Sequence, residues 1–148
     1  MTTAVGILNN MKRYKFIDHT ADIGVIAYGK DLPEAFANSA YAMFDILTDV
    51  SKVEGNNSFE LQVSARNQDE LLIMWLDELL FRYETERIVC DRFVINSLDD
   101  KNLNATVFYE KIDRNKHEIK TEIKNVTYHQ LEIKKVRNGW SIQVIFDV

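Results

Sequence analysis

Short segments in which apolar residues alternate with polar ones, or form β-branched runs, predict strands along most of the chain. In the N-terminal half the pattern predicts strands at 14–17, 23–29 and 59–65. In the C-terminal half it predicts strands at 89–98, 103–109, 119–123, 126–136 and 140–148. Asn138-Gly139 separates the last two and predicts a hairpin with a type I′ turn.

Helical periodicity replaces the strand pattern after residue 31, where apolar residues recur on one face as far as residue 47. Asp31 and Glu34 have the spacing of a capping box, and Pro33 falls in the first turn, where a missing N–H costs little. The pattern therefore predicts a helix that begins after Asp31 and ends near Asp49.

A second helix is predicted after Asn67, which has Glu70 as its capping partner. Its segment, "DELLIMWLDELLFRYETE", is apolar around more than half of its circumference, which is typical of a helix packed centrally. Asp77 and Glu78 are predicted to lie on its exposed side. The order of elements predicts an α+β fold, with two helices packed on an antiparallel or mixed β-sheet in a single two-layer domain.

Length and composition restrict the class of protein. The 148 residues are 46% apolar, enough for one domain with a real core, here 12–148 after a flexible N-terminal extension at 1–11. A net charge of −5 argues against a protein whose main task is to bind nucleic acid directly.

The single cysteine, Cys90, is predicted to be a buried apolar residue in a reducing compartment. Without a signal-like or membrane-spanning segment, a cytoplasmic protein with no membrane contact is expected.

Familiar enzyme motifs are missing from the sequence. It contains no phosphate-binding glycine loop, dinucleotide fingerprint, nucleophile elbow or H-E-x-x-H pair. Of the three histidines, His117 is predicted to be exposed in a polar loop, and His129 to make a structural hydrogen bond within a strand. His19 is the more suggestive one, because it lies between Asp18 and Asp22.

Two acidic clusters are candidates for chemistry: Asp18 with Asp22, and Asp147 with the α-carboxylate of Val148. Adjacent carboxylates repel each other unless a cation or a basic group joins them, and their oxygens suit Ca²⁺, Mg²⁺ or Mn²⁺. The alternative is structural, with Asp22 in a turn or cap and Asp147 at a frayed end. Spacing along the sequence favours the structural alternative, because it gives no reason to place Asp22 next to Asp147.

Several segments, taken together and in order, resemble the archease family. "DHTADIG" at 18–24 is similar to its N-terminal signature, and "LPEAFANSAYAMFDIL" and "DELLIMWLDELLF" to its two helices. "IKNVTYHQLEI" is similar to its K-A-V-T-x-H segment, with Asn125 in place of the usual small residue, and "FDV" to its closing residues. The resemblance runs from Tyr14 to Val148.

The resemblance implies an accessory protein for the tRNA-splicing RNA ligase, and not an enzyme. Such a protein promotes guanylylation and multiple turnover of the ligase, broadens its use of nucleotides, and meets tRNA only indirectly. The resemblance also implies a divalent cation, calcium or else magnesium or manganese, on Asp22, Asp147 and Val148.

Three further residues enter through the same resemblance. Asp18 and His19 would support the cation site, and Lys124 would contact the ligase or its nucleotide. Two other interpretations remain open: a small metal-dependent phosphoester hydrolase that uses Asp18, His19 and Asp22, and a chaperone-like interaction module.

Overall fold

The computed structural model describes residues 13–17 and 21–148. Within these ranges the chain forms seven strands and two α-helices, which confirms the α+β fold class. The strands are β1 (Tyr14–Ile17), β2 (Asp22–Gly29), β3 (Asn57–Ser64), β4 (Ile88–Leu98), β5 (Asn102–Lys111), β6 (Asn125–Val136) and β7 (Gly139–Asp147). The helices are α1 (Leu32–Leu47) and α2 (Gln68–Glu86), and a 3-10 turn covers Val50–Lys52. The predicted extension at 1–11 lies outside the described residues.

The described strands form two sheets, and every neighbouring pair in them is antiparallel. The larger sheet has the order β1-β2-β7-β6, and the smaller one has the order β3-β5-β4. Helix α1 packs against β2 and β7 of the larger sheet and against β4 of the smaller one. The single sheet expected from the sequence is thus divided in two, with α1 in contact with both parts.

Aromatic side chains fill the centre of the core. Trp75 of α2 is fully buried and donates its indole N–H to the carbonyl oxygen of Phe36 at 3.0 Å. Phe93 of β4 lies edge-on to Trp75 and stacks with Phe44 at a centroid distance of 5.9 Å. Cys90 is buried as predicted, and burial raises the pKa of its thiol.

Both helices begin at the predicted caps. Asp31 Oδ1 accepts a hydrogen bond from the Glu34 N–H at 2.9 Å, and Glu34 Oε1 accepts one in return from the Lys30 N–H at 2.7 Å. Asn67 caps α2 in the same way by accepting from the Glu70 N–H at 2.9 Å. Each cap satisfies a backbone donor that the first helical turn leaves without a partner.

The predicted strand at 119–123 is wrong. This segment makes one isolated bridge, between Thr48 and Ile119, and otherwise docks on the C-terminal end of α1. The Lys120 N–H, for example, donates to the Leu47 carbonyl oxygen at 2.9 Å. The last carbonyl groups of a helix need partners from outside it, and they compete successfully here with strand pairing.

The β6–β7 hairpin is confirmed, but its predicted turn type is wrong. Val136 pairs with Gly139, so the two loop residues are Arg137 and Asn138, and neither has a positive φ. A type I′ turn requires positive φ at both. Gly139 instead has φ 149° and lies so close to Gly29 that a Cβ would come within 2.0 Å of the Gly29 carbonyl oxygen.

His117 is buried, contrary to the prediction of an exposed loop residue. Its exposed fraction is 1%. Nδ1 accepts a hydrogen bond from the Asp113 N–H at 2.9 Å, and Nε2 lies 3.0 Å from Glu110 Oε2. The loop folds back on β5, an arrangement that its polar composition does not indicate. Asp77 of α2 is exposed as predicted, whereas Glu78 is half-buried.

Candidate functional site

The register of the larger sheet brings together two carboxylates that are far apart in the sequence. Asp22, the first residue of β2, pairs directly with Asp147, the last residue of β7. On the other side of β7, Asp147 pairs with Asn125, the first residue of β6. Directly opposed residues of antiparallel strands project from the same face, with Cβ atoms about 4.5–5.5 Å apart. Asp22, Asp147 and Asn125 therefore form one row at one end of the sheet.

Hydrogen bonds hold the last residue of β7 in this row. The Asp147 carbonyl oxygen accepts from the Lys124 N–H at 2.7 Å, and Asp147 Oδ2 lies 3.4 Å from Asn125 Nδ2. Val148 is half-buried and packs against the core. The interpretation of Asp147 as a frayed end is therefore wrong, since it is paired on both sides.

Asp22 and Asp147 are half-buried and directly opposed, and like charges directly opposite on a sheet repel. A hard divalent cation between them would offset this repulsion, and carboxylate, amide and main-chain oxygens are the donors that Ca²⁺ and Mg²⁺ prefer. The chemistry of Asp22, Asp147 and Asn125 thus fits such a cation.

A complete set of ligands does not come from side chains of the described residues alone. Among residues 13–17 and 21–148, no three His, Cys, Asp or Glu side chains are grouped as a metal site. Further donors would have to come from the oxygens of Val148, from water, or from Asp18 and His19. Asp18 and His19 lie outside the described residues, so their predicted supporting role is not tested.

The structure places Lys124 just before β6 and His129 within it. Lys124 precedes β6 and is exposed, and its backbone bond to Asp147 puts it at the same end of the sheet as the carboxylates. His129 lies further along β6 and is also exposed. Lys124 is therefore beside the candidate site, whereas His129 is outside the row of opposed residues.

A cleft of about 360 Å³ adjoins Asp22. It lies between the edge of the larger sheet, the end of α1 and the segment after residue 118, and its lining includes Phe16, Ile23, Asp45 and Lys120. Asp45 accepts a hydrogen bond from the Tyr14 hydroxyl, and Lys120 Nζ donates to the Asp45 carbonyl oxygen at 2.7 Å. Lys120 Nζ also lies 3.9 Å from Asp45 Oδ1, so a charged pair lines the cleft next to the candidate site.

Sequence reasoning missed Asp45 as a site residue. The one available signal was its position between Phe44 and Ile46, which are both buried, on a strongly apolar helix. Burial, reinforced by the hydrogen bond to Asp45, raises the pKa of Tyr14, so the hydroxyl keeps its proton and remains the donor.

Over the ranges that the structure describes, neither helix is long and apolar enough to cross a bilayer.

Comparisons with known proteins place this geometry in a family. Residues 14–148 match the model of the Archease protein family (MTH1598/TM1083). The chain is 39% identical over 140 residues to the protein archease of Sulfurisphaera tokodaii, covering 93% of this chain and 100% of the relative. It is 40% identical over 141 residues to the protein archease of Methanosarcina barkeri, with 93% and 97% covered.

Two solved structures have the same fold. The solution structure of Methanobacterium thermoautotrophicum protein 1598 superposes with a TM-score of 0.79 at 40% identity, covering 93% of this chain and all of that one. The crystal structure of an archease from Thermotoga maritima, described as a possible chaperone, gives a TM-score of 0.61 at 20% identity, with 90% and 96% covered. With the family model matched over nearly the whole chain, and relatives close to 40% identical along it, this chain belongs to the archease family.

Proposed function

We propose that this chain is a metal-binding accessory protein that activates the tRNA-splicing RNA ligase. It promotes guanylylation of the ligase and its multiple turnover, and it broadens the nucleotides that the ligase uses. The observation that carries the proposal is the register of β2 and β7, which opposes the carboxylates of Asp22 and Asp147 at one end of the sheet. Membership of the archease family supports it.

In this proposal Asp22, Asp147 and an oxygen of Val148 hold a calcium, magnesium or manganese ion. A bound ion of this kind stabilises negative charge on phosphate oxygens. The few protein ligands and the hard oxygen donors favour a labile ion that can act within a partner's active site. Lys124 contacts the ligase or the phosphates of its nucleotide in this proposal, which its exposure beside Asp147 supports.

The proposal assigns no turnover to this protein alone. The ligase carries out the chemistry and holds the RNA, so an accessory chain with a net charge of −5 needs only indirect association with tRNA. The proposed location is the cytoplasm.

Asp22→Asn tests the proposal, because it keeps the shape of the side chain and removes its charge. We expect the rate of ligase guanylylation at substoichiometric accessory protein to fall by about tenfold or more, the size of effect that perturbing a metal site produces. Asp100→Asn is the matched control, since Asp100 is exposed in the turn between β4 and β5. It should activate the ligase as the wild type does.

Three results would contradict the proposal in different ways. If the wild-type protein leaves guanylylation and turnover of the ligase unchanged at every ratio, the activator function is wrong. If Asp22→Asn activates the ligase as well as Asp100→Asn does, the assignment of Asp22 to the metal site is wrong. Steady hydrolysis of phosphoesters by the isolated protein would favour the hydrolase that uses Asp18, His19 and Asp22.

A further inference from the structure

Helix α2 presents apolar side chains to solvent on one of its faces. Met74 and Phe81 are 40% and 57% exposed, and they lie seven residues apart, on the same side of the helix. Asp77 lies between them and is exposed as well. A helix that packs only against the core would carry polar residues here, so this face needs another explanation.

A large bulge in β6 adds an aromatic residue to this face. Thr127 pairs with Ile145 and Glu132 with Gln143, so residues 128–131 of β6 stand opposite a single residue of β7. Gln130 adopts φ 54°, a left-handed conformation that costs a non-glycine residue free energy. Bulges of this kind redirect side chains away from the ladder.

The redirected side chain is Tyr128, which is 56% exposed. Desolvation raises the pKa of its hydroxyl, and the charges of Glu70 and Asp77 raise it further. Glu70, Met74 and Asp77 follow one another on the same face of α2. Helix α2 packs against β6, so Tyr128 and the exposed residues of α2 lie on neighbouring elements.

Helix α2, which carries most of this surface, is acidic overall. Six acidic residues lie on α2 against one basic residue, Arg82, which pairs with Glu78 at 3.1 Å and Glu86 at 3.8 Å. In the part of the chain that the structure describes, no ion pair engages Asp77. Its surroundings desolvate it in part, which raises its pKa. A cation supplied by a partner would stabilise the charged form of Asp77 and offset the cost of its desolvation.

We propose that Met74, Asp77, Phe81 and Tyr128, here called the α2 face, form the surface on which the ligase docks through an arginine-bearing segment. The inference rests on the proposed function and names the contact surface for it. Arginine is the complementary residue, because its guanidinium pairs with a carboxylate and stacks on aromatic rings.

Arginine side chains of this protein stack on aromatic rings at other positions. The guanidinium of Arg82 lies 4.2 Å from the ring centroid of Phe59, and that of Arg92 lies 3.7 Å from the ring centroid of Phe108. The α2 face offers two further exposed rings next to an acidic group. Its chemistry therefore matches an arginine-bearing partner better than a purely apolar one.

The position of the α2 face is compatible with the candidate metal site. Tyr128 follows Asn125, which opposes Asp147, by three residues of β6. At ~3.3 Å per strand residue the two lie about 10 Å apart. A partner docked on the α2 face can therefore reach the Asp22–Asp147 end of the same sheet.

The test is the affinity of the purified ligase for purified full-length variants, measured by calorimetry. Phe81→Glu should weaken binding by about tenfold or more, as expected for an aromatic anchor at the centre of an interface. Val94→Glu is the matched control, since Val94 is 43% exposed on β4, away from the α2 face. It should bind as the wild type does. Asp77→Asn should bind more weakly and lose part of the salt dependence of binding.

The outcomes separate this inference from the proposed function. If the ligase binds the wild type and Phe81→Glu equally well, or if Val94→Glu weakens binding as much, the α2 face is not the docking surface and the activator function still stands. If the ligase binds none of them, the activator function fails first and the inference falls with it. Thermal unfolding midpoints close to wild type show that each variant is folded.

Discussion

Glu110 shows how single polar side chains hold a loop to the body of the protein. Its carboxylate accepts hydrogen bonds from the Glu54 N–H at 2.6 Å and from Lys116 Nζ at 3.1 Å. It also lies 3.0 Å from Nε2 of the buried His117. Burial alone would raise its pKa, but these bonds outweigh burial and lower the pKa of Glu110. The charged form of Glu110 is therefore the one that the fold stabilises.

The lowered pKa of Glu110 sets the direction in which the stability of the protein depends on pH. A lowered pKa in the folded state means that the contribution of Glu110 is complete above its ordinary value of 4.5 and is lost as the pH falls through the folded value. Glu110→Gln should therefore lower the urea midpoint at pH 7, and its difference from wild type should shrink towards pH 3. A difference that stays constant over this range would contradict the account. Glu60→Gln, on the exposed side of β3, is the control.

At the scale of the elements, the turn between β6 and β7 depends on one close approach. Gly139 has φ 149°, and a Cβ there would collide with the Gly29 carbonyl oxygen. Gly139→Ala should therefore lower the free energy of unfolding by about 1–3 kcal/mol, through backbone strain and the clash. The neighbouring Asn138→Ala should change it by less than about 0.5 kcal/mol, because Asn138 is exposed. Equal midpoints for the two variants in chemical denaturation would refute this explanation.

The elements themselves were largely predictable, because their signals are local. The caps at Asp31 and Asn67 and the alternation in β3, β5 and β7 depend on neighbouring residues, and all appear in the structure. The segment at 119–123 has the composition of a strand. Its backbone N–H groups, however, donate hydrogen bonds to the end of α1, and no local sequence pattern indicates this contact. His117 was misassigned for the same reason, since its burial depends on β5.

The candidate site was predictable only in part. Carboxylates near each end of the chain were visible in the sequence, but their pairing depends on the order β1-β2-β7-β6, which is a property of the whole sheet. Only the family resemblance joined Asp22 to Asp147 in advance. Asp45 in the adjoining cleft was missed, because a single charge on an apolar helix does not show where it is placed, and Lys120 reaches the cleft only through the docking of its segment on α1.

At the scale of the whole molecule, the first residue of β2 and the last residue of β7 meet at one end of the larger sheet. This arrangement places two like charges in opposed positions and lines a cleft beside them. The α2 face approaches the same sheet from the side of β6. The account thus describes a protein that binds its partner with one surface and presents a cation with another, so that docking and metal binding can be disrupted independently.

A calcium titration by calorimetry tests the central claim most directly. It compares the wild type ending at Val148 with Asp22→Asn, with Asp147→Ala, and with a chain extended by a few residues after Val148. The account predicts one calcium ion bound by the wild type, with affinity reduced by about tenfold or more in both variants and to a similar extent in the extended chain. Absence of calcium binding by the wild type, or unchanged affinity in Asp22→Asn and Asp147→Ala, would contradict it.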